Sequence, residues 1–172
     1  MVRSVSIYPN RALLRVCKPV DVEVAPDWSL IEDMSTTITH YNGVGLAANQ
    51  IGLDKALFVM RDSGLSVPVA IANPVVLDEA EKTEMIEGCL SLPGISAKVP
   101  RWSYIKIRAY VAQHYENKWG EEELEFVGLR AQIAQHEIDH LMGKVFPDRL
   151  DLVTKHTLLS VFARPNSLTK NI

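Results

Sequence analysis

A chain of 172 residues with 47% hydrophobic and 23% charged side chains is long enough for one domain with its own core. Its net charge of −3 weighs against DNA or an anionic membrane as a partner, and no apolar run approaches the roughly 20 residues that would span a bilayer. Two cysteines, Cys17 and Cys89, make no disulfide framework and point to a reducing compartment.

The first residues lack the apolar core of a signal peptide, so the chain is expected to be cytoplasmic, or organellar if a transit peptide has been removed. The spacing of Trp28, Ile31, Met34 (or Ser35), Ile38 and Tyr41 predicts a helix over 27–41, started by Pro26-Asp27 and ended by Asn42-Gly43 as a left-handed cap. Residues 57–60 and 67–76 read as short strands, the second interrupted by Pro68 and Pro74. Residues 98–111 alternate as a longer strand, Trp119-Gly120 marks a turn, and 121–127 reads as a half-exposed hairpin strand. A second helix is expected over 129–142, with Leu129, Ile133, His136 and His140 on its inward face and Gly143 as its stop. A shorter third helix is expected within 149–163, followed by a loose tail over 165–172. Strands that precede the strongest helix indicate an α+β fold: antiparallel or mixed β-sheets around a central helix, with a C-terminal helix.

Residues 135–140, Gln-His-Glu-Ile-Asp-His, carry the clearest chemistry. His136 and His140 stand one helical turn apart, so their imidazoles can chelate one metal ion. Glu137 lies beside that ion rather than on it, where a general base for a water molecule belongs. An open hydrolytic site needs a third ligand, and Cys89, Asp148, Asp151 and His156 are the candidates. Cys89 stands out by its setting, Glu87-Gly88-Cys89-Leu90-Ser91-Leu92-Pro93, in which a glycine permits close approach and a proline ends the strand. A third segment, Gly43-Val-Gly-Leu-Ala-Ala-Asn-Gln50, is backbone-rich, and the Gln50 amide can donate to a developing oxyanion. It lacks the Lys-Ser/Thr pair of a phosphate loop.

Taken in order, Gly43–Gln50, Glu87–Ser91 and Gln135–His140 resemble the three signature motifs of the peptide deformylase family, over nearly the whole chain. The resemblance implies a single catalytic domain spanning 1–172 that removes the formyl group from N-formylmethionyl nascent polypeptides and releases formate. It implies that Cys89, His136 and His140 hold one divalent metal ion, with Fe2+ the usual physiological ion and Zn2+, Ni2+ or Co2+ able to replace it. It assigns proton transfer to Glu137 and the oxyanion to Gln50 and the backbone N–H of Leu90. Backbone groups of Val44, Gly45 and Gly88 would pair with the peptide as an added strand. Val44, Leu129, Ile133 and the stem of Glu87 would wall the methionine pocket. The ribosome near its exit tunnel is a further partner that the resemblance raises.

The chain departs from the family pattern in two places. Pro9-Asn-Arg-Ala-Leu-Leu-Arg lacks the second proline of the usual Pro-Asp-Pro-x-Leu-Arg, although Lys18-Pro19-Val20 remains. Ser96 stands where several bacterial members carry arginine, so contacts beyond methionine are expected to differ. The short span from Gln50 to Glu87 leaves no room for the insertion of some Gram-positive members, which favours the compact class with a helical C-terminus.

Other residues fit plainer roles. Cys17 reads as a small buried hydrophobe, and His40, His114 and His156 as surface or capping residues. Glu121–Glu123 reads as a solvated turn. Asp139 is either a solvated helix residue or a partner of Arg101 or Arg130. A zinc endopeptidase of the His-Glu-x-x-His type is the competing enzyme and would need His156 or Asp151 as a downstream ligand. A catalytically dead homologue is the competing non-enzyme.

Overall fold

The computed structural model describes residues 1–61 and 68–163, so the expected loose tail and the first residue of the 67–76 strand, Val67, lie outside the described residues. Helix α1 spans Trp28–His40, and the Asp27 side chain caps it by accepting the Leu30 N–H at 3.1 Å. Leu30, Ile31, Met34 and Ile38 form its buried stripe. Its end differs in detail from the expectation. Asn42 takes the left-handed conformation, with φ 54°, and the Gly43 N–H closes the turn by donating to the Ile38 carbonyl at 2.8 Å. Gly43 therefore follows the capping position, and Tyr41 lies 39% exposed outside the stripe.

Among the described residues, five strands follow in one antiparallel sheet, ordered β1-β2-β3-β4-β5. They are β1 (Gly45–Ala47), β2 (Leu57–Met60), β3 (Val69–Cys89), β4 (Leu92–Gln113) and β5 (Lys118–Val127). Strand β2 is apolar throughout because both its faces are covered. Leu57 and Val59 join the cluster under α1, while Phe58 and Met60 join the cluster under helix α2, Leu129–Leu141.

Strands β3 and β4 are far longer than their sequence-predicted pieces. Pro74 bends β3 at a bulge between Ala72 and Val75 instead of ending it, and Asn73 absorbs the bend with φ 50°. The two strands continue as a paired arm, with Lys82 opposite Trp102 and Glu87 opposite Ala97, and turn back between Cys89 and Leu92. A two-stranded ribbon is marginal alone. Here Leu92 and Val99 pack with Val145, Phe146 and Phe162, so the arm is held by a 3-10 turn at Phe146–Arg149 and by helix α3, Leu152–Phe162. The expected turn at Trp119-Gly120 falls instead at residues 114–117, where Asn117 has φ 51°, and Trp119 is buried within β5. At the departure near the N-terminus, Asn10 restores a turn by accepting the Ala12 N–H at 2.9 Å, and Leu13 is fully buried.

Helix α2 crosses the sheet with Ala131, Ile133, Ala134 and Leu141 in the core. Leu129 departs from the expected inward face. It opens the helix and is 63% exposed. At the far end Gly143 has φ 70°, and Lys144 N–H reaches the Asp139 carbonyl at 2.9 Å. A Cβ on Gly143 would also lie 2.9 Å from the backbone carbonyl carbons of Leu14 and Arg15. Gly143→Ala should lose roughly 1–3 kcal/mol of stability, measured as a lower urea midpoint at unchanged slope.

Candidate metal centre

The arm and α2 bring the two chemistry-bearing motifs together. Cys89 ends β3 at the tight turn, and His136 and His140 project from α2 one turn apart, with ring centroids 4.9 Å apart. One donor atom from each of Cys89, His136 and His140 lies within 4.8 Å of the others, and Cys89 Sγ is 3.2 Å from His140 Nε2. Asp151 and His156 are exposed on α3, where the Asp151 carboxylate caps the helix by accepting the Val153 and Thr154 N–H groups. Asp148 is engaged by the Val145 N–H at 2.8 Å and by Lys155. None of the three joins the cluster, which removes the downstream ligand that an endopeptidase would need.

The donor set suits a divalent ion chemically, a soft thiolate with two imidazoles being apt for zinc or iron(II). Burial pushes the Cys89 thiol up, but His140 and His136 beside it outweigh burial and hold it well below the usual thiol range. His136 Nδ1 lies 2.9 Å from Glu87 Oε2, an arrangement that fixes the tautomer with Nε2 turned to the donor cluster. Burial would raise the Glu87 carboxyl, yet hydrogen bonds from Arg101 and His136 bring it down to about 2.

Glu137 is 3% exposed, and its Oε2 atom has no hydrogen-bond partner within the protein. Burial pushes its carboxyl up to about 7. A buried orphan acceptor beside three converging donors is what an ion carrying a water molecule would satisfy. Gly45 is needed for this arrangement. A Cβ at that position would fall 2.3 Å from Glu137 Oε1, so only a bare backbone fits under the carboxylate. Gln50 is also buried, at 2% exposure. Its Oε1 accepts the Ala47 N–H at 2.8 Å, which turns Nε2 towards Ser91 Oγ at 3.2 Å and Cys89 Sγ at 3.6 Å.

A cavity of about 380 Å³ opens onto these groups. Its lining includes every expected substrate-contacting residue: Val44, Gly45, Glu87, Gly88, Leu129 and Ile133. Leu90 lines it as well. Glu87 does more than offer its stem, because its carboxylate is committed to Arg101 and His136.

The sequence alone did not point to Ile86, Gln132 or Arg149. Ile86 is 71% exposed at the cavity, and Gln132 Nε2 ties its carbonyl to α2 at 2.9 Å. Gln132 stands four residues before His136, a spacing that would have placed it on the same face. Asp139 pairs with Arg101, one of its two expected partners, and additionally with Arg149. Arg130 instead lies over the Phe126 ring.

The polypeptide deformylase family model matches residues 2–156. The chain belongs to the peptide deformylase family. Among curated peptide deformylases, that of Aquifex aeolicus is 39% identical over 155 residues, covering 87% of this chain and 88% of the relative. That of Thermotoga neapolitana is 40% identical over 147 residues, covering 85% of each. The crystal structure of a peptide deformylase from Legionella pneumophila superposes with a TM-score of 0.84 at 32% identity, covering 94% of both chains. That of the Thermus thermophilus peptide deformylase gives a TM-score of 0.80 at 36% identity, covering 93% of this chain and 92% of that one. As a peptide deformylase, this chain is a hydrolase that removes the N-formyl group from nascent peptides, and the endopeptidase reading is not favoured. The family is metal-dependent, in keeping with the Cys-His-His cluster.

The two thiols differ sharply in environment. Cys17 is 8% exposed, and burial, followed by nearby Asp54, pushes its pKa up to about 11. Iodoacetamide at neutral pH should therefore label the metal-free protein once, at Cys89, as read by peptide mass mapping. Labelling at Cys17 would contradict these environments.

Proposed function

We propose that Cys89, His136 and His140 hold one divalent ion and that Glu137 is the general base and then the general acid of deformylation. The unpartnered, buried Glu137 Oε2 beside the donor cluster is the observation that carries this reading. A bound divalent ion supplies Lewis acidity and lowers the pKa of its water towards about 7. Glu137 accepts the proton of the attacking water and delivers it to the departing amine, and its burial, which eases protonation of the carboxyl, suits a group that must hold that proton between the two steps. The Gln50 amide, locked by its own acceptor on Ala47, donates to the oxyanion together with the Leu90 N–H. Iron(II) is the physiological ion in this reading, and zinc, nickel or cobalt can replace it.

The formyl-methionine side chain enters the 380 Å³ cavity against Val44, Leu129 and Ile133. Strand β1 stands at the sheet edge, which leaves Val44 and Gly45 placed to pair with an extended peptide, with Gly88 on the opposite side. The whole chain acts as one catalytic domain. It works in the cytoplasm on chains leaving the ribosome. No helix among the described residues is long and apolar enough to cross a membrane.

Glu137→Gln should keep its metal and KM while kcat for a formyl-Met tripeptide falls by roughly 10²–10⁴, followed as formate release. Retained turnover would remove Glu137 from the mechanism. Cys89→Ala should lose the ion, read by metal analysis after dialysis. Gly45→Ala should lower kcat at full metal content, because the added methyl displaces the Glu137 carboxylate.

A further inference from the structure

Behind His136 runs a chain of buried charges whose far end reaches solvent. His136 Nδ1 meets Glu87 Oε2 at 2.9 Å. Arg101 grips the same carboxylate with Nε at 2.6 Å and Nη2 at 2.9 Å. The third arm of that guanidinium, Nη1, donates to Asp139 Oδ2 at 2.6 Å. Asp139 in turn accepts from Arg149, whose Nε lies 2.9 Å from the same Oδ2. Arg101, Glu87 and Asp139 have side chains no more than 3% exposed, whereas that of Arg149 is 44% exposed. The chain therefore crosses from α2 through β3 and β4, returns to α2, and ends on the 3-10 turn that precedes α3.

We infer that Arg149 is a positioning residue for the metal centre, acting on His136 through Asp139, Arg101 and Glu87. The inference rests on the metal reading given above. Signs alternate from Glu87 to Arg149, so Glu87, Arg101 and Asp139 are each held from both sides. Without Arg149, Asp139 faces a single guanidinium and its carboxylate is free to rotate. Arg101 then loses its fixed rear contact, and its two-pronged grip on Glu87 loosens. Glu87 is the group that orients the His136 ring, so the change arrives at a ligand nitrogen without any contact between Arg149 and the ion. A merely structural role would confine the effect of Arg149 to anchoring the turn before α3.

Cobalt-loaded protein separates these roles. The measurements are the visible absorption bands of the cobalt complex and the rate at which a chelator strips the ion. Arg149→Met should shift the bands and release cobalt several-fold faster, Glu87→Gln should do so by roughly 10–100-fold, and Arg149→Lys should recover part of the loss. Combining Arg149→Met with Glu87→Gln should add little beyond Glu87→Gln alone, since the path is already cut. Asp151→Ala, which removes the α3 cap without touching the chain of charges, should leave bands and release rate unchanged. Wild-type bands and release in Arg149→Met, equal changes in Asp151→Ala, or fully multiplicative effects in the double variant would each overturn the inference. Failure of the unaltered protein to take up cobalt would instead overturn the metal reading.

Discussion

Everything in this molecule is arranged around a helix that is buried while carrying polar side chains. On α2, Gln132, Gln135, Glu137, Asp139 and His140 are all under 10% exposed. Burying such groups without partners costs several kcal/mol apiece, so the surrounding strands must supply those partners. They do so from specific points. Gln135 pairs with both backbone groups of Trp102, Asp139 with Arg101, and His136 with Glu87. The length of the β3–β4 arm follows from this demand, because Glu87 and Arg101 must reach the helix from beyond the part of the sheet that β2 and β5 cover. Glu137 Oε2 and His140 Nδ1 are the exceptions among these side chains, and both belong to residues at the Cys-His-His cluster.

The helices were legible because their periodicity and caps agree. Asp27 before α1 and Gly143 after α2 sit where local chemistry puts them. The arm was not legible. Its charged stretch, with Asp78, Glu79, Glu81 and Lys82, is exposed on a ribbon that has no second layer over much of its length, so no alternation of apolar and polar residues survives. Pro74 compounded the difficulty, since a bulge and a strand end look alike in one dimension. The turn at 114–117 carries no glycine, and Asn117 takes the left-handed position that a glycine would have advertised.

The site was more legible than the sheet. Its three motifs are local in sequence, and each carries a residue type whose chemistry is narrow. Gly45 could be placed near substrate, but its tighter constraint, the carboxylate of Glu137, comes from a helix far along the chain. Arg149 was invisible for the same reason. Nothing near it in sequence states that Asp139 needs a second guanidinium, and only the packing of the turn against α2 brings the two within reach.

Cys89 and His140 are separated by 51 positions, with all of β4 and β5 between them. A polypeptide is synthesised from its amino end, and distant partners meet only after the intervening segments have folded. The Cys89 sulfur is consequently in place before its imidazole companions are, and it is held as a thiolate only once they dock beside it. Until α2 docks, that sulfur lacks the two imidazoles that complete the donor cluster, so the cluster cannot assemble before the helix has found its place against the arm.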